Sequence, residues 1–166
     1  MIFVTVGTHE QPFNRLVKFI DDMKRDGFIN EEVVMQTGYS TYEPKYCTWQ
    51  KLYPYKDMVK FVKDARIVIT HGGPSSFIMP LQEGKIPIVV PRKYEFGEHV
   101  NNHQVEFCHE VANRQNSIID IENIEELKHY IVDYDIIVNS ITIRQSSNND
   151  EFCKEFAEIV AGYFGY

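Results

Sequence analysis

The sequence predicts an α/β fold built on a parallel, doubly wound sheet, and three observations indicate this class. Short runs rich in β-branched residues, at 67–69 and 86–90, are typical of strands that are buried on both faces. Segments with apolar residues at helical spacing separate such runs. Glycine loops, such as His71-Gly72-Gly73, connect strand to helix. Strands and helices that alternate in this way form Rossmann-like sheets.

The first half of the chain predicts three strands and two helices. Strand 2–6 ends at Gly7-Thr8-His9, and a helix from about 12 to 24 carries one apolar stripe. Strand 32–36 closes at Thr37-Gly38. The stretch 39–53 is rich in Tyr, Thr and Lys, and it reads as a loop that ends in a short strand near 48–52. A helix over 57–64 follows.

The second half predicts further strands and helices around the glycine loop. After strand 67–69, Ser75 or Ser76 can cap the next helix, and strand 86–90 follows. We predict a helix over 99–113, a small strand over 117–120 and a helix over 124–134. Residues 136–144 alternate less clearly, and 145–150 are a polar break. The last helix, 151–164, has a stripe made of Phe152, Phe156, Ile159, Val160 and Tyr163.

Composition and charge exclude several classes of protein. The 166 residues are 43% hydrophobic and 13% aromatic, which is typical of a single folded domain. A net charge of −7 argues against binding to nucleic acid through its phosphates. We expect neither a membrane span nor a signal peptide, since no apolar stretch is long enough and Met1 leads into a strand. Three distant cysteines (Cys47, Cys108, Cys153) favour a reducing cytoplasm over disulfides or a zinc site.

Three loops are expected to meet at one edge of the sheet, because ligands of such sheets bind outside the carboxyl ends of the strands. Two of them are the glycine loops at 7–9 and 71–73. Backbone N–H groups and a helix dipole at such a loop favour an anion, and phosphate in particular. The third segment, 97–104, is rich in donors and acceptors that suit sugar hydroxyls. The pattern predicts a nucleotide-sugar site.

These motifs carry a resemblance to a known family. The order His-Gly-Gly-x-Ser-Ser at 71–76, Gly-x-x-Pro-x-x-x-Pro at 84–91 and Asn-His-Gln at 102–104 resembles the C-terminal, donor-binding half of GT-B glycosyltransferases, the glycosyltransferase family 28 C-terminal-domain type. The opening Phe3-Val4-Thr5-Val6-Gly7-Thr8 also matches. Within that group the chain resembles the small catalytic subunits of two-part transferases, such as capsule and exopolysaccharide β-1,4-galactosyltransferases.

The resemblance implies a UDP-sugar as donor substrate and no metal or other cofactor. Its implied binding residues are Gly7, Thr8, His71, Gly72, Gly73, Ser75, Ser76, Glu98, Asn102 and Gln104. Related domains usually carry an acid on the helix after the glycine loop, where it holds the ribose. Here Met79 and Pro80 occupy that region, and Glu83, about one turn later, is the candidate substitute for that acid.

The resemblance also implies a partner, because a complete GT-B enzyme has two Rossmann-like domains. We expect 1–166 to be a single nucleotide-sugar-binding domain, and a membrane-associated subunit to bind the lipid-linked saccharide acceptor. That partner would recruit the cytoplasmic chain to the inner face of the membrane. The helix 151–164 is the candidate docking element, and the alternative is that its stripe packs on its own domain.

Several single residues have two readings. His9 is a candidate general base, since imidazole titrates near neutral pH, or it only binds the diphosphate or its own loop. A base on the partner is a further alternative. His71 contacts phosphate or orders its loop. His99 and His103 have zinc-like spacing without a third ligand. The motif Asp133-Tyr134-Asp135 matches the metal motif of GT-A transferases by coincidence. Trp49 and the nearby tyrosines cover the sheet edge or form an acceptor-side wall.

The sequence thus predicts the catalytic subunit of an inverting, two-component glycosyltransferase. It would move a hexose, with galactose favoured, from a UDP-sugar to an undecaprenyl-diphosphate-linked saccharide in surface polysaccharide synthesis. N-acetylglucosamine is the second choice of sugar. The alternative from another class is a regulatory module that binds a UDP-sugar without turnover.

Overall fold

The computed structural model describes residues 1–142 and 149–165, and within them six parallel strands form one sheet. Its order is β3-β2-β1-β4-β5-β6. The strands are β1 (Ile2–Thr5), β2 (Val33–Gln36), β3 (Thr48–Gln50), β4 (Ile67–His71), β5 (Ile88–Val90) and β6 (Ile119–Asp120). The strand order reverses between β1 and β4, so the predicted doubly wound, Rossmann-like sheet is confirmed.

Helices cover both faces of the sheet. They are α1 (Asn14–Arg25), α2 (Tyr55–Asp64), α3 (Pro74–Gln82), α4 (His103–Gln115), α5 (Leu127–Val132), α6 (Tyr134–Thr142) and α7 (Asn149–Phe164). Short 3-10 turns occupy Tyr94–Phe96 and Ile124–Glu126. None of the helices described is both long and apolar enough to cross a membrane.

The two faces of the sheet bury separate sets of side chains. Successive residues of a strand point to opposite faces, so Ile2 and Val4 pack with α1 while Phe3 packs toward α2. Phe3 stacks on Phe61 of α2, with 5.3 Å between ring centroids. Because both faces are covered, β1 has no exposed position and reads as a continuous apolar run.

Helix α7 packs against its own domain, on the side of α3 and α4. Phe156 and Ile159 are buried with Phe77 and Phe107, and Phe164 meets the Phe107 ring at 5.2 Å between centroids. The stripe that the sequence offered as a docking element is therefore covered by the chain itself, which is the alternative reading. The side chain of Phe152 lies outside the described part of the structure.

Helix α4 begins four residues later than the sequence predicts. Gly97 adopts a left-handed conformation (φ +67°), and the Asn102 side-chain oxygen accepts a hydrogen bond from the Tyr94 N–H at 2.9 Å. These features hold residues 97–102 as a loop, so His99 and His103 do not share a helix. The two side chains therefore do not lie one turn apart on a helix, as a pair of zinc ligands with this spacing would.

The region after β6 is more helical than predicted. The helix expected over 124–134 divides into a 3-10 turn and α5, and α6 then begins at Tyr134. Residues 136–142 thus belong to a helix, whereas 143–148 lie outside the described residues. Asn149 and Asp150, which the sequence places in a polar break, already belong to α7.

The tyrosine-rich segment after β2 covers the sheet edge. Trp49 and Tyr42 pack against the core beside α1, and the Trp49 indole donates to the Pro44 carbonyl at 3.0 Å. The buried Asp21 carboxylate of α1 ties this segment down by accepting from the Tyr42 hydroxyl and from two backbone N–H groups, those of Lys45 and Tyr46. Of the two readings, the covering role fits Trp49 and Tyr42, whereas Tyr39 and Tyr46 are exposed.

Candidate functional site

The glycine loops after β1 and β4 meet at the point where the strand order reverses. The His71 ring fills the space between them, so closely that a Cβ atom on Gly7 would lie 2.2 Å from its Nε2 atom. A Cβ atom on Gly73 would lie 2.3 Å from the ring Cε1 atom. Gly7 also has a φ of +73°, which disfavours other residues. Both glycines are therefore required by the ring of His71.

His71 is buried and neutral. Burial, assisted by the charge of Arg92, lowers the pKa of its ring to about 3. Its Nδ1 atom accepts a hydrogen bond from the Gly73 N–H at 3.1 Å, and its Nε2 atom lies 2.8 Å from the Ser76 hydroxyl oxygen. Since Nδ1 is an acceptor, the neutral ring carries its proton on Nε2 and donates to Ser76. Of its two predicted roles, loop ordering is the one that these contacts support.

Helix α3 begins directly at this loop. Gly73 precedes its first residue, Pro74, and none of the described side chains caps it, so the predicted serine cap is wrong. Ser76 lies inside the first turn and bonds His71, while Ser75 is exposed beside the uncapped helix end. The Ser76 N–H donates to the Gly73 carbonyl at 3.0 Å and Pro74 has no N–H, so this helix end favours an anion mainly through its dipole. The start of α3 is therefore suited to bind a phosphate.

The first glycine of this loop, Gly72, packs tightly against α4. A Cβ atom on Gly72 would lie 2.8 Å from the Cys108 sulfur and 3.1 Å from the Gln104 Cβ atom, both on α4. Burial raises the pKa of the Cys108 thiol well above its ordinary value, so this cysteine is an inert packing residue. Gly72 thus lets α4 approach the end of β4.

Glu98 and Gln104 are buried, and their side chains bond other residues of the domain, including His71, which lies 3.5 Å from the Gln104 amide nitrogen. Both Glu98 oxygens bond Arg15, at 2.8 and 2.9 Å, and one also accepts from the Lys93 N–H. The Gln104 side chain accepts from the Arg92 N–H at 3.1 Å. Glu98 is 2% exposed and Gln104 is 4% exposed, so the prediction that they contact the donor sugar is not supported. Asn102 is exposed, and its side-chain oxygen accepts a hydrogen bond from the Tyr94 N–H.

Arg92 is a buried cation that the sequence interpretation missed. Its guanidinium group donates to the carbonyls of Val6 and Gln11, each at 2.7 Å, and to the Glu98 carbonyl at 3.1 Å. It also lies 4.9 Å from the centroid of the Phe13 ring. Burial lowers its pKa to about 10, which leaves it charged at neutral pH. The sequence signal that could have indicated this role is the position of a charged residue immediately after a long apolar run.

His9 lies beside His99, which the sequence did not pair with it. The ring centroids are 4.7 Å apart and the rings are tilted by 33°. The Nδ1 atom of His9 accepts from the Gln11 N–H at 3.1 Å. Burial and the charge of Arg92 lower the His9 pKa below its ordinary value, while Glu10 opposes the shift. Thr8, between Gly7 and His9, is exposed.

The expected substitute for a ribose-binding acid lies far from this edge. Glu83 follows the last residue of α3, and its carboxylate is 3.9 Å from the Lys63 ammonium group. The nine residues of the helix separate it from the glycine loop by about 13 Å. Met79 packs into the core toward α2. Neither residue is placed to hold a ribose bound at the start of α3.

The structure places the Asp133 motif away from the glycine loops. Asp133 pairs with His129 at 2.8 Å, and Asp135 pairs with Arg66, which precedes β4 at the amino edge of the sheet. Across residues 1–142 and 149–165, no group of three His, Cys, Asp or Glu side chains is arranged to hold a metal ion.

Comparison with known proteins agrees with this geometry. A sequence model for the glycosyltransferase family 28 C-terminal domain matches residues 1–160. Similar solved structures include the glycosyltransferase SnogD from Streptomyces nogalater, with a TM-score of 0.54 and 17% identity over 95% of this chain and 39% of that one. No curated protein matches in sequence.

A second similar structure is the glycotransferase of kitacinnamycin, with a TM-score of 0.53 and 15% identity. That alignment covers 98% of this chain and 37% of the other. At such identities the likeness shows the fold alone, and the chain spans about two fifths of each structure. The match along nearly the whole sequence, together with this fold, shows that the chain belongs to the glycosyltransferase family 28 C-terminal domain.

Proposed function

We propose that this chain is the donor-binding catalytic subunit of an inverting, two-component glycosyltransferase. It moves a hexose, with galactose favoured, from a UDP-sugar to an undecaprenyl-diphosphate-linked saccharide in surface polysaccharide synthesis. A separate, membrane-associated subunit binds the acceptor and brings this cytoplasmic chain to the inner face of the membrane. The reaction uses no metal or other cofactor.

One observation carries the donor site in this proposal. The uncapped start of α3 and the glycine loops after β1 and β4 converge where the strand order reverses. That position is where open α/β sheets bind nucleotides. Gly7 and Thr8 border the diphosphate on one side, and Gly72, Gly73 and Ser75 border it on the other. Family membership supports glycosyl transfer as the reaction.

The need for an acceptor-binding partner rests on the share of a glycosyltransferase that this chain represents. The matched family domain is a C-terminal one, and the solved structures are more than twice as long as the matched part. Apolar side chains on the loop after β5 are also exposed next to the donor site. They are Tyr94, Phe96 and Val100, which are 62%, 58% and 65% exposed. We assign this apolar rim (Tyr94, Phe96, Val100) to contact with the partner.

The chemistry requires that negative charge on the departing UDP be stabilised. As the acceptor hydroxyl attacks the anomeric carbon, the bond to the diphosphate breaks and both of its electrons leave with UDP. The dipole of α3 favours such a charge at the start of the helix, beside the glycine loops. The hydroxyl proton passes to a base, which we assign to the partner because the Nδ1 lone pair of His9 already accepts the Gln11 N–H.

The test is a co-purification of this chain with its acceptor-binding subunit, followed by UDP release on a lipid-linked acceptor. UDP-galactose should support more turnover than UDP-N-acetylglucosamine, and EDTA should not reduce the rate. Gly73→Ala should remove activity, since its Cβ atom displaces His71, whereas Gly162→Ala meets nothing within 4 Å and should be neutral. Turnover by this chain alone contradicts the two-component arrangement. UDP binding without turnover in any pairing favours a regulatory module.

A further inference from the structure

Three histidines at the donor edge share one local hydrogen-bond pattern. In each, the ring Nδ1 atom accepts the backbone N–H of the residue two positions later. The pairs are His9 with Gln11 at 3.1 Å, His71 with Gly73 at 3.1 Å and His99 with Asn101 at 3.4 Å. The three residues follow β1, end β4 and follow β5 respectively, so all three lie at the carboxyl edge of the sheet.

This pattern decides which ring nitrogen carries the proton. A nitrogen that accepts a hydrogen bond must keep its lone pair, so the neutral ring holds its proton on Nε2. Burial, followed by neighbouring positive charge, lowers the pKa of all three rings, which keeps them neutral near pH 7. Each ring therefore offers one N–H donor, at Nε2.

The three rings differ in their further partners. The Nε2 atom of His71 bonds Ser76. The hydrogen bonds of the described residues include none from Nε2 of His9, while the His99 ring also hydrogen-bonds the Asn101 side chain. The centroids of the two rings are only 4.7 Å apart. The His9 and His99 rings thus lie side by side at the carboxyl edge of the sheet.

Arg92 fixes the backbone on both sides of this pair. One nitrogen of its guanidinium group, Nη1, donates to the Gln11 carbonyl at 2.7 Å and to the Glu98 carbonyl at 3.1 Å. The N–H of Gln11 donates to Nδ1 of His9, and Glu98 directly precedes His99. The Glu98 carboxylate is in turn held by Arg15. The loops after β1 and β5 are therefore joined through one buried cation.

We propose that His9 and His99 form a neutral pair of Nε2–H donors, positioned by Arg92, that binds the diphosphate of the donor nucleotide. This inference rests on the proposed function and refines it, because it adds His9 and His99 to the residues that donate hydrogen bonds to the diphosphate. The pair stabilises the charge that the leaving UDP gains. Arg92 is a positioning residue, since it contacts the loops and not the substrate.

The first test measures which ring nitrogen of each histidine carries the proton. Spectra of the unliganded chain with ¹⁵N-labelled histidine should show His9, His71 and His99 as neutral rings protonated on Nε2 at about pH 7. Single His→Asn variants assign the signals. A ring of His9 or His99 that is protonated on Nδ1, or is cationic, overturns the inference. This measurement needs no nucleotide, so its result does not depend on the proposed function.

The second test measures nucleotide binding. Asparagine keeps an oxygen that can accept the N–H two residues later but lacks the Nε2 donor, so His9→Asn and His99→Asn preserve the loop. Each should weaken UDP binding by about tenfold and leave uridine binding unchanged, because each removes one hydrogen bond to a charged group. His129→Asn, on α5, is the matched control.

The outcomes distinguish a failure of the donor pair from a failure of the proposed function. Wild-type chain that does not bind UDP contradicts the proposed function, while the proton positions still stand. UDP binding that is unchanged in both asparagine variants overturns the donor pair and leaves the proposed function intact. An equal loss of UDP and uridine binding also overturns it, because the effect would then not belong to the diphosphate.

Discussion

At the scale of single residues, the site depends on one buried histidine held between two glycines. The His71 ring packs between the loops after β1 and β4. Its hydrogen bonds to Gly73 and Ser76 order the start of α3. A buried neutral ring also has a cost when the pH falls. The unfolded chain then takes up a proton that the folded chain excludes.

We predict that His71 makes the fold sensitive to acid. Its pKa is about 3 when folded against 6.5 for a free ring, so its contribution is present above pH 6.5 and is lost as the pH falls toward 3. Near pH 5 the loss is about 2 kcal/mol. Urea unfolding near pH 7.5 and near pH 5 should therefore show a larger fall in the free energy of unfolding for the wild type than for His71→Asn.

The comparison with the variant is needed because another group acts with the opposite sign. Burial raises the pKa of Asp120 to about 6, so this carboxyl favours the folded state as the pH falls below that value. It contributes equally to the wild type and to the variant. An equal fall for both proteins contradicts the role given to His71.

At the scale of elements, a lysine outside helix α2 stabilises its last turn. The ammonium group of Lys85 donates to three carbonyls there, those of Val62, Lys63 and Ala65, at 2.5 to 2.6 Å. The final carbonyls of a helix have no partner within it and carry the negative end of its dipole. Lys85 therefore connects the end of α2 to the turn that follows α3.

We predict that Lys85→Met lowers the free energy of unfolding by about 1–2 kcal/mol. The change keeps the apolar stem and removes the charge and its three hydrogen bonds. Lys60→Met, on the exposed face of α2, makes the same chemical change without such contacts and should be neutral within about 0.5 kcal/mol. Urea denaturation of both variants checks this, and equal effects at the two positions contradict it.

At the scale of the whole molecule, the strand order determines at which edge of the sheet the exposed apolar residues lie. The sheet brings the loop after β5 to the edge that carries the glycine loops, so the apolar rim lies on the donor side. Ile136 of α6 is also exposed, but α6 begins at the other edge, where the Tyr134 hydroxyl donates to the Ile86 carbonyl. Of these two apolar surfaces, only the apolar rim can border an acceptor bound at the proposed donor site.

We predict that Val100→Asp weakens association with the acceptor-binding subunit by about tenfold or more, because a buried apolar contact is replaced by an unpaired charge. UDP binding by the isolated chain should change little. Ile136→Asp is the control, since that residue is 73% exposed at the opposite edge. Affinity between the purified subunits measures both. Undiminished association of Val100→Asp removes the apolar rim from the interface.

Local patterns in the sequence determined the sheet, the glycine loops and the family resemblance, because periodicity and turn residues act between near neighbours. Contacts between distant loops were decided only by the tertiary structure. Arg92 meets the Val6 carbonyl across 86 residues, and Arg15 meets Glu98 across 83. No local pattern encodes which loops the strand order brings together. For that reason the sequence named His9 and Glu98, but only the fold showed that His9 pairs with His99 and that Glu98 is held within the core.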